Sequence, residues 1–329
     1  MGIDLEIQFT LGVAYLRGPV IAGPAQLLYP VTRTLVQSSR VMNSSSPNFH
    51  FPSNKMSDDA GDAWGKPNFL NRHIEARSPV GRNSAFYSMN HKNRGLAIIL
   101  NHEFFEIKTL KARSGTKVDC EKLSSTLQGL GFNVFSYHNL RLKDITKVIE
   151  EAARTDHSEN DCFLLAVLSH GEMGILYAND APYKPENLWA FFTADKCPSL
   201  AGKPKIFIIQ ACQGDRLDPG IKMRTEVDSK DSLGYKIPIH SDFLIAYSTV
   251  PGFFSWRNTT NGSWFIQALC AELKANGAHL DMLTLLTFVC QRVALDYESN
   301  TPGDVKMHQQ KQIPCITTML TRLIKFTPK

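Results

Sequence analysis

Three short, wholly apolar segments constrain the fold of this 329-residue chain more than any other feature. They occupy residues 96–100, 162–168 and 206–209, and stretches with helical periodicity separate them. Apolar runs of this length without polar alternation are typical of strands that are buried on both faces of a parallel sheet. Strands that alternate with helices predict right-handed crossovers and an α/β architecture. We therefore expect a mostly parallel sheet with helices on both faces.

The remaining elements fit this plan. Further strands are predicted at 133–137, 243–248 and 313–320, which gives six strands, and amphipathic helices at 116–131, 140–153, 263–276 and 281–297. Another helix is predicted to begin at Lys184, with Pro185 in its first turn. Residues 38–93 are rich in Ser, Asn, Pro and Gly and predict a flexible leader. One folded domain is expected over about residues 90–326.

Bulk composition excludes several functional classes. The net charge is +5, and no block of five like charges occurs, so no nucleic-acid partner is indicated. Seven cysteines without a C-x-x-C pair argue against a disulfide framework or zinc ribbon and favour a reducing compartment, the cytoplasm. Near the N-terminus, Asp4 and Glu6 precede the apolar stretch and three prolines interrupt it, which excludes a secretory signal or membrane span.

Polar residues follow two of the buried strands. S-H-G-E at 169–172 follows one strand, and Q-A-C-Q-G at 210–214 includes the end of another. Carboxyl ends of neighbouring parallel strands meet in one crevice, where His170 can take the proton of Cys212 and activate the thiol. The backbone amides of Gly171 and Cys212 then form a candidate oxyanion hole. Taken singly, a structural histidine and an inert buried cysteine are common, but together these residues predict acyl transfer.

These motifs carry a resemblance to a known family. Q-A-C-Q-G matches the caspase signature with its upstream histidine, and S-H-G-E resembles the caspase histidine loop. R-S-G-T at 113–116, F-S-W-R-N at 254–258 and K-Q-I-P-C at 311–315 resemble effector (executioner) caspases, most closely those of insects. The resemblance implies a caspase-like fold whose six-stranded sheet is extended by dimerisation through the last strand. It also implies an endopeptidase that cuts after aspartate, at DxxD-like sites, during apoptosis, with no metal or organic cofactor.

The resemblance further assigns substrate-binding residues. Arginine suits a buried carboxylate because its planar fork binds two oxygens at once, whereas an isolated arginine is more often a solvated surface charge. The pocket for the aspartate is expected to contain Arg113, Arg257, Gln210 and Ser255. The second and fourth subsites and the contact with the substrate backbone are expected to involve Phe254, Trp256, Trp264 and Asn258. The loop at 301–308 has no aromatic residues, so selectivity beyond four residues stays open.

Activation by proteolysis is also implied. T-E-V-D at 225–228, in an exposed polar stretch, has the tetrapeptide form that caspases cut. Cleavage after Asp228 by an upstream initiator caspase would give a large subunit (63–228) and a small subunit (229–329), and two such pairs form a heterotetramer. Cleavage after Asp62 would remove the leader (1–62). It would expose Ala63, the kind of N-terminus that inhibitor-of-apoptosis proteins recognise.

Two other functions remain open at this stage. A catalytically silent caspase-like regulator is disfavoured because Cys212, His170, Gln210, Arg113 and Arg257 are all intact. A metacaspase-like or paracaspase-like protease, which accepts basic residues, would need carboxylates where this chain has arginines.

Overall fold

A central six-stranded sheet organises the residues that the computed structural model describes, which are 79–220 and 240–329. In chain order the strands are β1 (Leu96–Asn101), β2 (Asn133–His138), β3 (Phe163–Leu168), β4 (Gly171–Glu172), β5 (Ile175–Tyr177), β6 (Pro182–Tyr183), β7 (Lys205–Gln210), β8 (Phe243–Tyr247), β9 (Arg257–Asn258), β10 (Gly262–Ser263) and β11 (Cys315–Thr318). The α-helices are α1 (Thr116–Gly129), α2 (Leu142–Arg154), α3 (Trp264–Asn276) and α4 (Met282–Asp296).

The main sheet has the order β11-β8-β7-β3-β1-β2. All neighbouring strands are parallel except β11, which runs antiparallel to β8 at one edge. This confirms the predicted α/β architecture with six mostly parallel strands.

Side chains of the central strands alternate between two apolar layers. On β3, Leu164 and Ala166 face one layer, whereas Phe163 and Leu165 face the other. The first layer packs against α1, α3 and α4, and the second against α2 and the segment at 185–200. Because both faces are covered, a strand must be apolar at every position, which explains the uninterrupted apolar runs.

The segment after Lys184 differs from the expectation of a helix. It forms only a short 3₁₀ helix, Pro185–Leu188, and then irregular turns. Phe192 stacks on Phe163 at 4.2 Å and Trp189 contacts Phe207 at 5.7 Å between ring centroids. We attribute the irregular path to this packing, since the aromatic side chains follow the face of the sheet rather than one side of a helix. The β4-β5-β6 sheet and the β9-β10 hairpin were also not predicted, because their strands are only two or three residues long.

A buried ion pair joins the start of the folded domain to its C-terminus. Asp161 accepts hydrogen bonds from Arg94 (2.8 Å) and from the backbone N–H of His91 (2.9 Å), and its second ion pair is with Lys329 (2.9 Å). Arg94 also donates to the carbonyl of Thr327, and both Arg94 and Asp161 are fully buried. A buried charge is tolerated when it is paired and hydrogen-bonded in this way.

Within the described ranges, no helix combines the length and the apolar character that crossing a bilayer requires.

We expect Asp161→Asn to destabilise the fold by about 3–5 kcal/mol, because it leaves Arg94 buried without a counter-charge. Glu150→Gln is the matched control: it removes an ion pair with Arg154 on the exposed side of α2 and should cost less than about 1 kcal/mol. The measurement is urea unfolding of the full chain, followed by circular dichroism. Equal losses in the two variants would contradict the role assigned to the buried pair.

Candidate active site

The register between β3 and β7 brings the histidine and the cysteine motifs together. Leu168 lies opposite Gln210 in the parallel pair, and the N–H of Ser169 donates to the carbonyl of Gln210 at 3.1 Å. His170 and Cys212 therefore each lie two residues beyond the same rung of the sheet. Both motifs are fixed by buried strands, which gives the crevice a rigid base.

Gly171 lies directly against the cysteine. A Cβ atom at this position would be 2.6 Å from the carbonyl oxygen of Cys212 and 3.0 Å from that of Ile175. No real Cβ atom makes contacts that short with backbone, so only glycine lets the two segments approach this closely. The structure thus brings the backbone of Gly171 beside Cys212, as an oxyanion hole built from both amides requires.

The imidazole of His170 is oriented by a backbone carbonyl. Its Nε2 lies 2.7 Å from the carbonyl oxygen of Lys111. A carbonyl only accepts hydrogen bonds, so Nε2 carries the proton and, in the neutral ring, Nδ1 is the available base. Burial lowers the pKa of His170 below its ordinary 6.5, and the charges of Arg113 and Arg257 lower it further, against the opposing effect of the Lys111 hydrogen bond.

The thiol of Cys212 is half-buried and protonated in the resting site. Its Sγ accepts a hydrogen bond from the N–H of Ser255 at 3.4 Å. Burial raises the pKa of Cys212 above 9.0, and the Ser255 hydrogen bond and the charges of Arg113 and Arg257 offset only part of this. With the pKa of His170 lowered as well, both side chains are neutral at pH 7 rather than a thiolate–imidazolium pair.

Arg113 is a fully buried cation whose guanidinium donates to neutral groups. Its Nη1 donates to the carbonyl of His102 (3.0 Å) and to the hydroxyl of Thr116 (2.8 Å). Burial, followed by the like charge of Arg257, lowers the pKa of Arg113 to about 9. In residues 79–220 and 240–329, neither arginine forms an ion pair with a carboxylate. Two adjacent cations of this kind favour binding of an anion.

Arg257 comes from a distant part of the sequence and lies close to the segment that carries Arg113. It belongs to β9, which pairs with β10, and its Nε donates to the carbonyl of Ser114 at 2.9 Å. The hairpin is attached to α1 through Ser263, whose N–H and hydroxyl both donate to the buried Asp119 at 2.7 and 2.5 Å. Residues that are about 140 positions apart in sequence are thus held beside each other by one carboxylate.

Hydrogen bonds connect Gln210 and Ser255 to the thiol of Cys212. The Nε2 of Gln210 donates to the hydroxyl of Ser255 at 2.9 Å, and that hydroxyl contacts Ser248 at 2.9 Å. The Oε1 of Gln210 is buried and has no hydrogen-bond partner among the described residues. Buried polar atoms without partners are rare, and this one, at the end of the strand that leads to Cys212, points to a polar ligand.

The predicted aromatic subsite residues form a continuous row of ring contacts that also includes Tyr297. Ring centroids are 5.1 Å apart for Phe254 and Trp256, 5.6 Å for Trp256 and Trp264, and 5.6 Å for Trp264 and Tyr297. The side-chain oxygen of Asn258 instead accepts hydrogen bonds within its own turn, from the N–H groups of residues 260 and 261 at 2.8 Å. This row adjoins Arg257, which follows Trp256 in the sequence, whereas the oxygen of Asn258 is already engaged.

Some predicted positions cannot be located, and some site residues were not predicted. Asp62, Ala63 and Asp228 lie outside the described residues. The carbonyl of Lys111 and the ring of Phe105, whose centroid is 4.9 Å from that of His170, both contact the imidazole but were missed. A backbone carbonyl leaves no signature in a sequence.

Comparisons with known proteins agree with this geometry. The caspase domain family matches residues 94–325. The chain is 61% identical over 272 residues to Caspase-1 of Spodoptera frugiperda, which covers 82% of this chain and 91% of the relative. It is 61% identical over 271 residues to Caspase drICE of Drosophila melanogaster, covering 82% of this chain and 80% of the relative. It is 44% identical over 242 residues to Caspase-3 of Bos taurus, covering 73% and 87%.

A solved structure matches as well. The crystal structure of Caspase-1 from Spodoptera frugiperda aligns with a TM-score of 0.73 and 62% sequence identity, covering 78% of this chain and 100% of the other. The family implies protein substrates and a dimeric organisation. The chain belongs to the caspase family and is an effector caspase, an aspartate-specific cysteine endopeptidase that acts in apoptosis.

Proposed function

We propose that Cys212 is the nucleophile, His170 the general base, and Arg113 with Arg257 the site that binds the substrate aspartate. The observation that carries this proposal is the pair of arginines beside the thiol without a paired carboxylate in the described residues. A peptide aspartate supplies the missing negative charge, and its carbonyl carbon then lies within reach of the sulfur.

The first chemical step follows from the neutral resting pair. The thiol proton of Cys212 passes to Nδ1 of His170 as the sulfur attacks the peptide carbonyl. The new oxyanion is stabilised by the backbone N–H groups of Gly171 and Cys212. The imidazolium that forms keeps its Nε2–H on the carbonyl of Lys111, so the ring does not turn during the transfer.

The second step returns the proton. His170 donates it from Nδ1 to the leaving amine as the C–N bond breaks, which leaves a thioester on Cys212. A water molecule then loses a proton to His170 and attacks the thioester carbonyl. The carboxylic acid product departs as Cys212 regains its proton.

Gln210 contributes to aspartate binding through its side-chain amide. The O and N of an amide have nearly the same size, and the hydrogen-bond network decides their assignment. Rotated by 180°, the amide would direct its NH₂ to the place of the unpartnered Oε1, and the hydroxyl of Ser255 would donate to the amide oxygen instead of to Ser248. In this orientation Gln210 donates to the substrate carboxylate together with the two arginines. Phe254, Trp256 and Trp264 then line the second and fourth subsites, and the free amide of Asn258 contacts the substrate backbone.

We further propose that the chain is made as a zymogen and assembles into a heterotetramer in the cytoplasm. An upstream initiator caspase cleaves after Asp228, and a second cut follows Asp62. β11 supports the assembly because it ends the sheet, with half-buried Cys315 and Ile316 on its surface. A reducing compartment suits a chain whose seven cysteines are all unpaired in the structure. Inhibitor-of-apoptosis proteins as partners rest on Ala63 alone, and binding of a peptide that begins at Ala63 would test them.

Arg257→Ala should reduce kcat/KM for peptides that end in aspartate by about 10³-fold, because a buried carboxylate would lose its donor. The assay uses the processed enzyme and fluorogenic peptides that end in Asp, Asn or Arg. Arg154→Ala on the exposed side of α2 is the matched control and should leave kcat/KM unchanged. Efficient cleavage after Arg, or full activity of Arg257→Ala, would contradict the pocket. No turnover by the unaltered enzyme would favour the silent regulator.

As the pH is lowered, kcat/KM should fall with a midpoint below pH 6.5. His170 accepts a proton only when neutral, and its lowered pKa keeps it neutral until the pH falls through a value under 6.5. The substrate aspartate stays ionised to about pH 4, so it does not set this midpoint. We expect kcat/KM to be maximal at pH 7 and to fall with unit slope below pH 6.5, with samples returned to pH 7 to exclude inactivation. A midpoint above 6.5 would contradict the lowered pKa of His170.

Asp228→Ala should prevent separation of the two subunits. The substrate is the full chain carrying Cys212→Ala, incubated with a catalytic amount of the active enzyme, and the products are measured by mass spectrometry. Asp231→Ala, three residues away and outside the tetrapeptide, is the matched control and should be cut normally. Cleavage of Asp228→Ala at the unchanged rate would place the activation site elsewhere.

A further inference from the structure

Phe105 contacts the imidazole of His170 on one face. The two ring centroids are 4.9 Å apart, with an angle of 48° between the planes. Phe105 is half-buried in the loop between β1 and α1, and its neighbour Phe104 is 58% exposed. The two adjacent phenylalanines thus differ in their contacts, because the ring of Phe105 contacts the imidazole of the proposed base and Phe104 is exposed.

Backbone hydrogen bonds hold the loop on both sides of Phe105. The side-chain oxygen of Asn139 accepts from the N–H groups of Glu103 (2.8 Å) and Phe104 (2.9 Å). On the other side, the N–H of Glu106 donates to the carbonyl of Asn179 at 2.8 Å, and the side chain of Asn179 donates back to the carbonyl of Phe104 at 2.9 Å. These four hydrogen bonds fix the backbone on both sides of Phe105.

The same loop is attached to the aspartate pocket and to β3. His102 is fully buried, and its ring centroid is 6.2 Å from that of Phe105. Its backbone N–H donates to the carbonyl of Leu168 at the end of β3 (2.8 Å), and its own carbonyl accepts from Arg113 (3.0 Å). The loop that carries Phe105 is therefore hydrogen-bonded both to Arg113 and to the end of β3, the strand that precedes His170.

We propose that Phe105 is a positioning residue for His170, keeping the imidazole in the orientation from which Nδ1 serves Cys212. The hydrogen bond to Lys111 fixes one atom of the ring but still permits rotation about the line from Nε2 to the carbonyl oxygen. The ring of Phe105 blocks that rotation on one side. This proposal rests on the assignment of His170 as the general base. Misplacement of a catalytic group by about 1 Å costs up to roughly 10²-fold in rate, so the contact has a measurable effect.

The test compares three variants of the processed enzyme. Phe105→Leu keeps an apolar side chain but removes the flat ring, Phe105→Tyr restores the ring, and Phe104→Leu is the matched control on the exposed neighbour. Active sites are counted with an irreversible peptide inhibitor that ends in aspartate, and kcat and KM are measured per active site. Thermal unfolding checks that the folded state is retained.

We expect Phe105→Leu to lower kcat by about tenfold or more with KM unchanged, Phe105→Tyr to recover most of the loss, and Phe104→Leu to resemble the original enzyme. Equal kcat for Phe105→Leu and Phe104→Leu would overturn the proposal. So would a loss in Phe105→Leu that Phe105→Tyr does not reverse, since this would indicate a structural role. His170→Ala separates the two levels: if it retains activity, the base assignment itself fails, whatever the Phe105 variants show.

Discussion

The pairing of β3 with β7 is the constraint on which the rest of the site depends. Parallel strands in register place equivalent positions side by side, so a histidine and a cysteine two residues beyond the same rung must be neighbours. A slip of one residue would turn every side chain of one strand to the other apolar layer, which both buried faces resist. The free energy of the core thus keeps His170 and Cys212 neighbours, while contacts within the crevice orient the imidazole.

Burial outweighs the charges of the site and keeps the thiol of Cys212 protonated and the imidazole of His170 neutral before substrate binds. Arg113 and Arg257 favour thiolate at Cys212, but burial opposes them and keeps the thiol protonated. Burial is the main cause of the lowered pKa of His170, and the same arginines lower it further. When an aspartate binds to the proposed pocket, its single negative charge offsets part of their effect on the imidazole, which becomes a stronger base. Substrate binding and activation of the base are therefore linked through one pair of side chains.

The sequence predicted the strands and helices that have long apolar patterns, together with the juxtaposition of His170 and Cys212. It could not supply contacts that depend on backbone atoms or on irregular loops. The carbonyl of Lys111 orients His170 although any residue offers a carbonyl, and Phe105 lies in a loop without periodicity. The prediction of a helix after Lys184 was wrong for a related reason. The packing of aromatic rings on the sheet outweighs the local helical pattern.

Backbone hydrogen bonds join the segment that follows Cys212 to the loop that carries Ser255 and Arg257. Beyond the parallel β7–β8 pair, the segment after Cys212 is hydrogen-bonded to the loop that carries the subsites. The N–H of Gly252 donates to the carbonyl of Gln213 (2.7 Å), and the N–H of Phe254 donates to the carbonyl of Arg216 (2.8 Å). Asp218 pairs further on with Lys311. None of these contacts uses the residues between 220 and 240. If the chain is cut after Asp228 as proposed, none of these contacts is broken by the cut itself, which is the physical condition for activation by cleavage without separation of the two parts.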